Sequence, residues 1–555
     1  IESADKDWKA GRIMPVYGLT YGLSNNEITK LVKTAFEIYY NSIHNILPEE
    51  IIKEYKLTSR KEALINLHFP SDLRKYSLAK KTLAFEKLLI MQLGLFNIKN
   101  NFLKEISHIR LNNKDLAERM LAYLPYKLTN AQFKVIDEIN EDLKSNKAMN
   151  RLIQGDVGSG KTVVAVYTML VAVSSGYQAS MMAPTEILAL QHYETIKECI
   201  DLAGLNIKAE VLTGSTKAKE RQEILRKLKD GELDIIVGTH ALIEDNVEFK
   251  NLGLVVTDEQ HRFGVRQRAK LSNKGNAPHI LVMTATPIPR TLALMLYGDL
   301  DISLIDEMPP GRQKVITYVI SEKEKERAYD FIKKHLDSGR QAYIIAPLVE
   351  ESENLDLDSA TDLYEELKSS YFSGYSLGLL HGKMTSGEKE EVINKFYEGK
   401  ISALVSTTVV EVGVNVPNAT VMLVLNAERF GLAQLHQLRG RVGRGRYQSY
   451  CILVNESKSK KSRDRMNILK RTNNGFIIAE EDMRIRGPGD FFGVRQHGLS
   501  KFDIQNIVND VETLQQVRLL SKKIMKENPG LTGPGYQNLK REIANLFKDE
   551  TIAFN

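Results

Sequence analysis

Short, almost continuous apolar runs, each followed by a polar or Gly-containing turn and then a helical stretch, limit what this chain can fold into more than any other feature. Past Pro125 they fall at residues 151–154, 180–183, 235–238, 254–257 and 280–284. A strand that is apolar on both faces needs cover on both, and a crossover helix between successive strands supplies it. The pattern therefore predicts an α/β domain with a parallel sheet, placed at 127–308. Pro309, Pro310 and Gly311 then punctuate the chain, and the texture resumes at 343–346, 378–380, 403–406, 421–425 and 451–454. A second α/β domain is expected at 309–457, similar to the first in pattern but without an alignable repeat.

Before these domains, from about Asn26 to Ile109, apolar residues recur at helical spacing, as in Leu31, Val32, Phe36 and Tyr39 or Leu83, Leu88, Met91 and Leu95, with Pro48 and Pro70 as breaks. This predicts a helical domain over 16–126. After Ser457 the strands stop, and a basic segment leads into a mostly helical region over 458–555. A length of 555 residues agrees with this division, since domains average about 150 residues. Hydrophobic residues at 43% and charged residues at 26% exclude a disordered, collagen-like or disulfide-rich chain. The longest apolar stretch, 163–173, is too short to span a bilayer. Cys199 and Cys451 stand far apart and form no C-x-x-C pair, so buried free thiols in a reducing cytoplasm are expected. The net charge of +6 permits a polyanionic partner only where the positive charge is clustered.

The sharpest local signal is Gly155-Asp156-Val157-Gly158-Ser159-Gly160-Lys161-Thr162, which stands after a predicted strand and before an apolar helix. Glycines let backbone N–H groups wrap phosphates, Lys161 would meet the β and γ oxygens, and Thr162 would hold Mg²⁺. A kinase, a GTPase or a motor could each use such a loop. The next run ends in Asp258-Glu259. Asp258 suits Mg²⁺ coordination and Glu259 the orientation and deprotonation of an attacking water, which favours hydrolysis. Alone, an Asp-Glu pair would be a solvated strand end. The second α/β domain adds Gln437-Leu438-Arg439-Gly440-Arg441-Val442-Gly443-Arg444. An arginine delivered from a neighbouring domain can stabilise charge on a transferring phosphate, and Arg441 and Arg444 are the candidates; a basic surface loop is the bland alternative.

These segments, together with Ala183-Pro184-Thr185-Glu186 and Thr284-Ala285-Thr286-Pro287 in the same order, resemble the motor of superfamily 2 helicases. The resemblance implies two RecA-like domains with ATP and Mg²⁺ between them. It also implies coupling to nucleic acid through Thr185, Gln260, His261, Thr284, Thr286 and Gln437, and nucleotide contacts from Gly155, Gly158, Ser159, Gly160 and Gly413. Tyr126 and Gln132 resemble an adenine-recognition motif, Gln132 for the base edge and Tyr126 for stacking; for Tyr126 a core aromatic is the rival reading.

A narrower resemblance is carried by 149–158, 258–265, 426–432 and 475–498. These are similar to segments shared by the RecG family and the transcription-repair coupling factor, and Leu67-His68-Phe69-Pro70 with the helical stretch after it resembles RecG. The 475–498 segment resembles that branch's translocation motif, which implies coupling roles for Arg484, Arg486 and Gln496. By this likeness the chain is expected to be a fragment in which 1–15 is the last piece of an OB-fold wedge domain. The implied function is an ATP-dependent double-stranded DNA translocase that remodels stalled forks and Holliday junctions. The implied setting is a bacterial, nucleoid-associated, monomeric protein with no membrane attachment and with a single-stranded DNA-binding protein as a candidate partner. Two alternatives stay open: an RNA helicase of the same superfamily, and a non-catalytic nucleotide-gated binding module. From Glu456 to Arg471 the basic residues Lys458, Lys460, Lys461, Arg463, Arg465, Lys470 and Arg471 either neutralise backbone phosphates or form a solvated helix face.

Overall fold

The computed structural model describes residues 13–19, 22–102, 109–258, 274–275, 277–285, 300–310, 312–346, 353–407, 416–486, 511–533 and 535–546. These form two compact units, one of 13–102 with 511–546 and the other of 109–285 with 300–485.

The larger unit holds two sheets whose strand pairs are all parallel. The first contains β1 (Asn150–Gly155), β2 (Gln178–Met182), β3 (Ala209–Leu212), β4 (Ile235–Gly238), β5 (Leu252–Thr257), β6 (His279–Thr284) and β7 (Asp301–Ile305), in the order β3-β4-β2-β5-β6-β1-β7. The second contains β8 (Ile316–Ile320), β9 (Gln341–Ile345), β10 (Leu377–Leu380), β11 (Ala403–Ser406), β12 (Ala419–Val424) and β13 (Tyr450–Val454), in the order β10-β11-β9-β12-β13-β8. Each apolar run read from the sequence lies on a strand, within a residue or two of its ends. The three further strands, β3, β7 and β8, sit at sheet edges and mix buried with half-exposed positions, which is why no continuous apolar run marks them. The result is the pair of RecA-like parallel-sheet domains the motifs implied.

Helix ends are set by local chemistry. Thr129 and Gln132 form a reciprocal capping box at the start of the helix Asn130–Lys144, and the Thr185 hydroxyl accepts from the Leu188 amide at the start of Glu186–Leu202. The helix Lys161–Ser174 is buried from Val163 to Ala172 between its sheet and its neighbours, which accounts for its unbroken apolarity. At the start of β1, the buried Arg151 is paired with Asp142 at 2.7 Å and Glu138 at 3.2 Å and donates to Ser303 at 2.7 Å, so its charge is compensated inside the fold. Both cysteines are free and buried, and burial pushes the Cys451 thiol up to about 12.

The smaller unit is helical. Its spine is the helix Leu73–Phe102, against which Arg60–His68 and two helices from the end of the chain, Val511–Glu527 and Gln537–Leu546, pack. Asn538 donates to the Asn45 carbonyl at 2.9 Å, tying the last helix to the first part of the chain. No helix among the described residues is long and apolar enough to cross a membrane.

Candidate nucleotide site

The site is built at the carboxyl edge of the first sheet. The order β5-β6-β1 brings three motif-bearing strand ends side by side: Asp258 follows β5, Thr284 ends β6 opposite Gln154, and Gly155 ends β1 and opens the glycine-rich loop. Sequence segments more than a hundred residues apart meet here because each crossover returns the chain to the same edge.

Within the loop, Gly158 at φ +75° and Gly160 at φ +81° hold left-handed conformations that a side chain would strain. A Cβ on Gly158 would also displace the Arg312 guanidinium, and one on Gly160 the Gln132 amide. Lys161 Nζ lies 2.9 Å from the carbonyls of both Gly155 and Asp156, which holds the ammonium over the loop. The Ser159 hydroxyl is buried with no hydrogen-bond partner among the described residues. A buried orphan hydroxyl is costly unless something accepts from it or donates to it, and a phosphate oxygen would. The loop, its ammonium and this hydroxyl therefore fit a polyphosphate. Thr162 follows on the first turn, half-buried.

Gln132 lies against this loop rather than in solvent. It is 2% exposed, its carbonyl accepts from the Thr129 amide at 2.8 Å and its amide donates to the Ser159 carbonyl at 2.9 Å. Tyr126 is 48% exposed, which makes it a surface ring rather than a core aromatic. Asp258 is nearly buried and is held by His192 Nε2 at 2.8 Å from the helix Glu186–Leu202. With one carboxylate oxygen oriented by His192, Asp258 is placed as a fixed acidic group at the sheet edge, as a Mg²⁺ ligand needs to be. Among the described residues no three His, Cys, Asp or Glu side chains form a metal cluster.

The second sheet's domain faces this loop. The helix Leu432–Arg439 carries Gln437, half-buried, and leads to Gly440, where a Cβ would lie 2.8 Å from the side chain of Val157 in the loop. Arg441 is buried, and Arg444 donates to the Gly440 carbonyl at 3.1 Å. Burial, then the like charges of Arg441 and Arg312, push the Arg444 guanidinium well below its ordinary range. Arg312, from the segment joining the two sheets, donates to the Val157 carbonyl. Arg312 thus touches the phosphate loop, and the like charges of Arg312 and Arg441 bear on Arg444, a cost that an anion would relieve.

Several participants had no signal in the sequence. Asp156 occupies a variable position of the loop, yet it is 6% exposed and accepts from Val157 N at 2.7 Å, His436 Nε2 at 2.5 Å and Gly475 N at 2.9 Å. Burial alone would raise its pKa; the hydrogen bond from His436, with the two amides, holds it below the usual carboxylate range. His192, Arg312 and His436 likewise become visible only through their contacts. Arg484 is exposed and paired with Glu481 at 2.8 Å on the helix Gly475–Arg486. Glu259, Gln260, His261, Thr286, Gly413 and Gln496 lie outside the described residues, as does the side chain of Arg486.

Three family models match successive parts of the chain. Residues 129–295 match the family DEAD/DEAH box helicase, 324–446 the helicase conserved C-terminal domain, and 472–554 the family ATP-dependent DNA helicase RecG, domain 3, C-terminal. A curated ATP-dependent DNA helicase RecG from Synechocystis is 49% identical over 98% of this chain and 65% of its own length. The Bacillus subtilis protein of that name is 45% identical over 96% of this chain and 78% of its own. The chain thus spans 65% of the one relative's length and 78% of the other's. A solved structure of RecG bound to a three-way DNA junction superposes with a TM-score of 0.75 at 42% identity, covering 91% of this chain and 66% of that one. Mss116p bound to single-stranded RNA, at 18% identity and a TM-score of 0.52, shares the fold alone.

Proposed function

This chain belongs to the RecG family of ATP-dependent DNA helicases, and from that membership we propose that it hydrolyses ATP to move on double-stranded DNA and remodel branched junctions such as stalled forks. The observation that carries the ATP-driven part is the meeting, in one compact unit, of the Gly155–Thr162 loop with Arg312, Arg441 and Arg444. Charge that must be neutralised during phosphoryl transfer would be met by Lys161 from within the loop and by arginines from outside it. Bound Mg·ATP supplies the scissile phosphoanhydride bond. Lys161 would exchange the loop carbonyls for phosphate oxygens, Ser159 would gain a partner, and Thr162 with Asp258 would hold the cation. Glu259 would orient the attacking water, and Arg441 and Arg444 would meet the charge that develops on the transferred phosphate. Tyr126 and Gln132 flank the base. Thr185, Gln260, His261, Thr284, Thr286, Gln437 and the 475–498 segment pass the change to the DNA, and Gly413 completes the nucleotide contacts. The division at 15, 126, 308 and 457 belongs to the same proposal.

Branched DNA is the proposed substrate because the junction-bound relative covers nearly all of this chain at 42% identity. The RNA-helicase reading is weaker, since the RNA-bound neighbour shares only the fold, and an intact loop with opposed arginines argues against a non-catalytic module. Action as a cytoplasmic monomer, with a single-stranded DNA-binding protein as partner, is the finer part of the proposal; sedimentation with and without that protein tests it. The decisive experiment compares ATP hydrolysis stimulated by a three-way junction, a linear duplex and a structured RNA. Stimulation should be strongest with the junction and absent with RNA. Equal stimulation by RNA would overturn the DNA assignment, and no turnover with any of them would overturn the enzyme.

A further inference from the structure

The side chain of Asp156 does something a phosphate loop does not require. It places a negative charge beside an anion-binding site, where it would oppose phosphate unless neutralised. The neutralising groups come from the second sheet's domain and the segment after it: His436 Nε2 at 2.5 Å and the Gly475 amide at 2.9 Å.

The proton positions follow from chemistry. The Arg439 guanidinium can only donate, and it lies 2.9 Å from His436 Nδ1, so Nδ1 accepts and the ring proton sits on Nε2, directed at Asp156. Arg439 is anchored in turn to the carbonyls of Leu469 at 2.7 Å and Thr472 at 3.0 Å, immediately ahead of the helix Gly475–Arg486. That helix caps itself incompletely. Asn474 Oδ1 accepts from Phe476 N at 2.9 Å and Ile477 N at 3.3 Å, and the first amide, Gly475 N, goes to Asp156. A helix N-terminus carries about half a positive charge, and a carboxylate on its first amide is the strongest neutral-donor contact available there.

We infer that Asp156 is a positioning residue that fastens the first turn of the helix Gly475–Arg486 to the nucleotide loop, so that phosphate arriving in the loop tightens that fastening directly. The reason is linkage. Phosphate raises the cost of leaving Asp156 unneutralised, so the state in which His436 and Gly475 donate to it is favoured more when the loop is filled. The inference rests on the proposed function for the meaning of the segment, but the contact can be judged without DNA.

The test is hydrogen exchange across 472–480 in the whole chain, with and without ADP. In the parent, ADP should slow exchange there. In Asp156→Asn, exchange without nucleotide should be faster by about fivefold or more and ADP should no longer slow it, because a charge-assisted hydrogen bond has been replaced by a neutral one. His436→Ala should give the same direction with a loop of unchanged sequence, and the double variant should be no worse than Asp156→Asn, as expected when both remove one contact. On a three-way junction, base pairs displaced per ATP should fall about tenfold in Asp156→Asn, a ratio that simple destabilisation of the loop would not move. Unchanged exchange in both variants, or effects that add independently, would overturn the inference. Failure of the functional reading would show differently, as a parent chain that displaces no strands.

Discussion

Glu86 shows how a single buried charge can set the pH response of a domain. It is 4% exposed on the long helix Leu73–Phe102 and paired with Arg60 at 2.6 Å. Burial raises its pKa to about 7, against the pull of Arg60 and with a further push from Glu542 on the last helix. The folded unit therefore binds this proton more tightly than the unfolded chain does. The stability so conferred is fully present below 4.5 and is lost as pH rises through about 7. At about 1.4 kcal/mol per unit, the effect reaches up to about 3 kcal/mol. Glu86→Gln should flatten the fall in thermal midpoint between about pH 5 and pH 8; an unchanged slope in differential scanning measurements would show that Glu86 is not its source. At the nucleotide loop, Lys161→Ala should lower DNA-stimulated ATP hydrolysis by about a hundredfold or more while DNA binding persists. A steady-state ATPase assay beside a binding isotherm checks both halves.

Gly440 meets Val157 with no room for a further side-chain atom. The backbone of Gly440 is ordinary right-handed helix at φ −67°, so alanine costs nothing in conformation, but its Cβ would stand 2.8 Å from the Val157 side chain. Overpacking of this kind costs roughly 1–3 kcal/mol. Here it falls on the contact between the two sheet domains rather than on either core. Gly440→Ala should therefore slow ATP hydrolysis at least about tenfold with little change in the unfolding transition of either sheet; a large loss of secondary structure at room temperature would refute this. The helix Gly475–Arg486 is the other element to probe. Arg486→Ala should keep ATP hydrolysis and lose strand displacement, and a normal displacement rate would remove Arg486 from the coupling path.

Over the whole molecule the charge of +6 is a small remainder of large opposing sums. What decides binding is where the positive charge is exposed. On the segment leading into and along the helix Lys460–Arg471, Met466 and Leu469 face the core and Arg465 donates to the Glu428 and Phe430 carbonyls, whereas Lys458, Lys460, Arg463, Lys470 and Arg471 are exposed. One basic residue of the cluster is thus spent on holding backbone. If the exposed ones meet DNA phosphates, replacing Arg463, Lys470 and Arg471 by Gln should reduce the slope of log affinity against log salt by about 2.7. A salt titration of duplex binding measures this, and an unchanged slope would assign the cluster to a solvated helix face.

The local sequence determined the parts that depend on near neighbours. Apolar runs flanked by turns located the inner strands, Thr129, Thr185 and Ser459 started helices where their hydroxyls could cap, and the glycines at 158 and 160 marked a loop that no other residue could build. Tertiary structure decided whatever depends on partners distant in the chain. The edge strands β3, β7 and β8 are half-exposed and pair only because an inner strand is already there. The helices Val511–Glu527 and Gln537–Leu546 return to the spine Leu73–Phe102, where Val517, Ile524, Leu539 and Ile543 are buried, a choice that no local signal makes. Asp156, read alone, is a variable residue between two glycines of a motif. Only the fold brings His436 and Gly475 to it, across 280 and 319 residues of chain, because a carboxylate's role is set by which donors desolvate it, and donors so remote leave no periodicity in a sequence.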